Sequence, residues 1–93
     1  MDARLKNIMN SKIDEVIHKS NEIFVITKSL ESLIDDEEKT VFGIALGRVY
    51  NAFHYQTRRI LKRDATDQEF REFVTMLSTR AEEIKKALQL SKQ

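Results

Sequence analysis

"GIALGRVYNAFHYQTRRILKRDATDQEF", residues 43–70, decides how this chain folds. Its first two thirds carry apolar residues at helical spacing, and its last third stops that helix and starts another. The stop is "DAT", residues 64–66, and "TDQE", residues 66–69, has the spacing of a capping box. In that device the Thr66 hydroxyl accepts the amide three residues on, and the Glu69 carboxylate reaches back to the Thr66 amide. One helix therefore ends near Arg63 and the next begins at Asp67.

Working outward, "DDEE", residues 35–38, offers a similar start, with Asp35 as the cap and Glu38 as the reciprocal acceptor. Upstream, a helix begins behind Asp2 and runs to Leu33. Met9, Val16, Ile23 and Leu30 recur in it every seven residues, with Ile13 and Ile34 on the same side. Ser20 and Thr27 occupy seam positions, where they either thin the contact or bond carbonyls of their own helix. "NSK", residues 10–12, offers an alternative start that would make the first residues a separate short helix or an arm. Downstream, Phe70, Val74, Leu77, Ala81, Ile84 and Leu88 alternate steps of four and three, a packing stripe of a third helix.

Helices over 3–33, 37–63 and 67–90 joined by short connections predict an all-α fold: an antiparallel three-helix up-down-up bundle with a long first helix, in one domain, 1–93. The expected core includes Ile13, Val16, Ile23, Phe42, Leu46, Val49, Phe53, Phe70, Leu77 and Ile84. Acids at the start and cations at the end of each of the last two helices suit their macrodipoles and place opposite charges side by side in antiparallel packing.

Composition agrees with this class. The 93 residues contain no proline, two glycines and no tryptophan, so strand and turn punctuation is nearly absent. Apolar residues at 41% with charged residues at 33% indicate a chain that folds. Without cysteine there are no disulfides, thiolate metal sites or cysteine nucleophile. The longest apolar run, "IFVI" at residues 23–26, is far shorter than a membrane span, and the N-terminal residues lack a signal-peptide core; a cytoplasmic protein with no membrane partner is expected. A formal net charge of +1 supplies no global attraction to nucleic acid.

On the middle helix, Phe42, Leu46, Val49, Phe53 and Ile60 make the expected buried stripe. Gly43, Gly47, Tyr50 and His54 lie about a quarter turn away. A helical glycine costs about 1 kcal/mol relative to alanine, and two of them one turn apart allow a second helix to approach, within the chain or between two copies. Ile44, Arg48 and Tyr55 form a third stripe of apolar bodies with polar tips, a candidate partner face.

Chemistry finds little purchase. Glu15 and His18 in "EVIH" match one Glu-x-x-His element of di-iron carboxylate bundles, but they fall opposite the Ile13 seam and no second copy exists. Arg48 and His54 in "RVYNAFH" are loosely similar to the Arg-x(4–6)-His motif of the small helical HEPN ribonucleases; the two side chains take different helix faces and nothing else in the chain matches, so we assign no family. No cofactor or metal is expected. Arg58, Arg59, Lys62 and Arg63 form a basic end with Tyr55 and His54 near it, which makes nucleic-acid binding the competing reading. The leading expectation is a non-enzymatic protein-interaction or self-assembly module. It would work as a homo-oligomer, with a dimer through the middle helix and the long first helix favoured, because a helix of about 48 Å cannot be covered by one of about 36 Å.

Overall fold

The computed structural model describes the backbone of residues 1–91 and the side chains of residues 1–89. Within them the chain is all-helical: α1 (Ala3–His18), α2 (Ser20–Ser29), α3 (Glu37–Leu61) and α4 (Asp67–Ser91), with a 3-10 turn over Glu31–Leu33 between α2 and α3. Four helices therefore replace the three expected. The difference lies in the first segment, which breaks at Lys19.

Local chemistry starts α1 as anticipated: the Asp2 carboxylate accepts the amides of Arg4 and Leu5 at 2.8 and 3.3 Å. Residues 10–12 continue the helix without a cap. At Lys19 the backbone moves to φ −102° and ψ 18°, and its carbonyl accepts the Glu22 amide at 3.0 Å, three residues on instead of four. Buried Ser20 follows directly. Both α1 and α2 pack on α3 and on α4, and across the break Ile23 and Thr27 of α2 stay in the core with the α1 seam. The described residues span 40 Å in their longest dimension, so among them the first segment has no surplus length of the kind expected to demand a dimer.

Thr27 satisfies its hydroxyl by donating to the Ile23 carbonyl at 2.7 Å, and beyond it the heptad seam stops, since Leu30 is 48% exposed. Asp36, not Asp35, caps α3, its carboxylate accepting the Lys39 amide at 3.1 Å. At the other end of α3, Lys62 takes the left-handed conformation (φ 59°) and its amide donates to the Arg58 carbonyl at 3.0 Å. The capping box of α4 forms in both directions: the Glu69 amide donates to Thr66 Oγ1 at 3.1 Å, and the Thr66 amide donates to Glu69 Oε1 at 2.9 Å.

The core joins Leu5, Met9, Ile13 and Val16 of α1, Ile23 of α2, Val41, Ala45, Val49 and Phe53 of α3, and Phe73, Ile84 and Leu88 of α4. Phe42, Leu46 and Leu77, expected inside, are only partly buried, and Phe70 stays 37% exposed. On α3 the buried stripe is turned by roughly 35° toward Val41 and Ala45, because this helix packs against α1, α2 and α4 together. On α4, Phe73 takes the place foreseen for Phe70 and stacks on Phe53 with centroids 4.4 Å apart. A clamp absent from the sequence reading ties α4 to α1: the Arg80 side chain, 18% exposed, donates to the Asn10 carbonyl at 3.0 Å and to Asp14 Oδ1 at 2.6 Å. Glu83 holds the same guanidinium from within α4 at 2.9 Å.

Candidate interaction surface

The α3 face opposite the core carries Gly43, Gly47, Tyr50 and His54. Both glycines are exposed, and a carbon added at either Cβ position would meet no heavy atom within 4 Å. Of the two close approaches the spacing allows, the one within the chain is therefore absent. The small residue in the buried stripe is Ala45, which is fully buried.

Beside the glycines stands an aromatic cluster shared by α3 and α4. Tyr50 meets His54 edge-on at 4.8 Å and Phe70 at 6.4 Å, and the His54 and Phe70 rings lie nearly parallel at 6.1 Å. His54 also leans edge-on against Phe53 at 5.1 Å, which roots the cluster in the core. Its outer members remain in water: Tyr50 is 49% exposed, and Val74, one turn past Phe70 on α4, is 42% exposed. Sequence reasoning identified the α3 residues but assigned Phe70 and Val74 to the interior, so their place in this face became visible only with the fold.

The structure does not bring Ile44, Arg48 and Tyr55 together on one exposed face. Ile44 packs against the core, while exposed Arg48 and Tyr55 line a shallow groove of about 290 Å³ with Lys12, Glu15 and Asn51. Arg48 and His54 lie on different faces, one on this groove and the other in the aromatic cluster, so they do not converge on a reacting centre. Glu15 is held by Lys12 at 3.1 Å and its carboxyl lies below the usual range because of that partner. His18 is exposed, and among the described residues no three His, Cys, Asp or Glu side chains are placed to hold a metal ion.

The basic end of α3 is partly spent on the fold. Arg63 forks onto Glu69, with Nη1 to Oε1 at 2.7 Å and Nη2 to Oε2 at 3.1 Å, and Arg59 Nε donates to Gln56 Oε1 at 2.7 Å. The Arg63 guanidinium, with the Thr66 amide, pulls the Glu69 carboxyl down to about 2 from 4.5. Arg58 and Lys62 alone of the four extend into solvent without such a partner among the described residues.

A second apolar surface was not foreseen. Val25, Ile26, Leu30 and Leu33, on α2 and the following 3-10 turn, are 62, 54, 48 and 81% exposed. The signal was present in "IFVI": four consecutive apolar residues surround a helix, so they cannot all face one core. On its flank, Phe24, Val41, Phe42 and Leu88 line an apolar groove of about 290 Å³ edged by Lys39 and Lys85. Among the described residues no helix is long and apolar enough to cross a membrane. No protein-family model matches the chain, and neither a curated protein nor a solved structure matches it.

Proposed function

We propose that this chain is a non-enzymatic protein-interaction module that works by self-assembly, a dimer being the favoured state. In this reading the short connections at 34–36 and 62–66 return the long helices alongside one another as an antiparallel bundle, with the α1–α2 pair as its bent first arm. The dimer no longer depends on surplus length in the first helix. One observation carries it: two helical glycines open to solvent share an α3 face with Tyr50, whose ring meets Phe70 of α4, and Tyr50, Phe70 and Val74 leave aromatic and aliphatic surface in water. Glycine lowers helix stability by about 1 kcal/mol at each such position, and close docking of another surface offsets that cost. Tyrosine and phenylalanine beside small residues also suit the centre of a contact.

Light scattering coupled to size exclusion at tens of micromolar tests the proposal, with twice the chain mass expected. A Gly47→Leu variant should keep its helical circular dichroism, since a Cβ added there meets nothing within 4 Å and leucine favours a helix over glycine, while losing association. A monomeric mass for the unmodified chain at that concentration would remove the proposal's basis.

A further inference from the structure

The α3 face specifies its own complement. Helix α3 begins among Asp35, Asp36, Glu37 and Glu38 and ends among Arg58, Arg59, Lys62 and Arg63. Gly47 stands midway between Asp36 and Arg58, and all three fall on the glycine side of the helix. Asp36 is half exposed, and besides its capping bond its carboxylate lies 3.7 Å from the Lys39 ammonium. Arg58 extends into solvent.

We infer that the partner on this face is a second copy of the chain, its α3 crossing the first antiparallel at Gly47, with Asp36 of each copy against Arg58 of the other. The inference rests on the self-assembly reading and adds the occupant, the direction and the register. A twofold axis through the helix midpoint is what makes one surface complement itself. An antiparallel crossing sets each acidic end beside a basic end and aligns opposed macrodipoles. A parallel crossing would instead set acid against acid and base against base. The separation is feasible: Asp36 and Arg58 lie about 16 Å from Gly47 along the axis, and a crossing near 20° moves the helices apart by only about 6 Å sideways at that distance. Arginine and aspartate side chains span that gap. Around the axis, the missing Cβ atoms of Gly43 and Gly47 admit the opposing backbone, and Tyr50 and Phe70 close over its flank.

Because the chain contains no cysteine, single-cysteine variants report the register directly. The inferred axis places position 40 of one copy against position 54 of the other, and both residues already carry a Cβ. Thr40→Cys and His54→Cys are made separately and treated with a short bismaleimide, each alone and as a mixture, with light scattering on the same samples. We expect Thr40→Cys to cross-link to His54→Cys in the mixture and neither to cross-link to itself. In parallel, Arg58→Glu should weaken association about tenfold, and Asp36→Asn, which retains a capping side chain, by a smaller factor. If each cysteine variant cross-links to itself, the crossing is parallel and the inference is wrong while self-assembly stands. A dimer that cross-links in no combination places the contact elsewhere and also overturns it. A monomeric mass for both the unmodified chain and the variants removes the self-assembly reading and this inference together.

Discussion

Glu69 joins two helices through a single ionised carboxylate, and replacing it with glutamine isolates the charge. Glutamine retains an acceptor for the Thr66 amide, so the capping box survives while the Arg63 fork loses its anion. The carboxyl sits at about 2 in the folded chain against 4.5 otherwise, a difference that corresponds to at most about 3 kcal/mol. Arg63 is 49% exposed although Glu69 is only 13% exposed, so solvent and salt screen the pair and about 1–2 kcal/mol is expected. The sign follows from the depressed value: the folded state keeps the carboxylate ionised where the unfolded chain has already taken up a proton. Its contribution is complete above about pH 4.5 and is lost as pH falls through about 2. Urea unfolding followed by circular dichroism, run on both proteins between pH 7 and 3, measures this difference. The gap between native and Glu69→Gln should shrink to less than half of its neutral value by about pH 3. A gap of constant size over that range would show that the effect comes from geometry or packing and would refute the charge argument.

Four further substitutions probe the elements that hold the interaction face. Phe53→Ala should cost about 3–5 kcal/mol in chemical denaturation, because the fully buried ring stacks on Phe73; Phe70→Ala, at a 37% exposed ring, should cost less than half as much. Arg80→Met keeps most of the aliphatic bulk but removes the bonds to Asn10 and Asp14. It should lower stability by about 1–2 kcal/mol and the melting midpoint by about 4–15 °C. Lys62→Gly relieves the left-handed backbone at φ 59° and should raise stability by roughly 0.5–1 kcal/mol in urea titration, with a decrease showing that the lysine side chain has a stabilising contact.

The aromatic face was only half legible in the linear chain. Gly43, Gly47, Tyr50 and His54 share one side of one helix, a relation set by the 3.6-residue turn, so they could be grouped without a structure. Phe70 and Val74 fit an inward stripe equally well by spacing. What excludes them is Phe73, which takes the position against Phe53 and leaves Phe70 at the rim. Arg80 was missed for a similar reason: its partners Asn10 and Asp14 lie on α1, far away in sequence.

By itself the sequence determined the helical class, the start of α1 at Asp2, the capping box at Thr66 and Glu69, and the inward placement of Met9, Ile13, Val16 and Ile23. Each of these rests on atoms within a turn or two of one another, or on a repeat carried by one helix, so local bonding and periodicity suffice. Tertiary structure decided the break at Lys19, the rotation of α3 toward Val41 and Ala45, and the exposure of the glycines. Those outcomes depend on where α1, α2 and α4 press on α3. A helix has a continuous surface, and only the neighbours that occupy it settle which side is covered and which is left open to another chain.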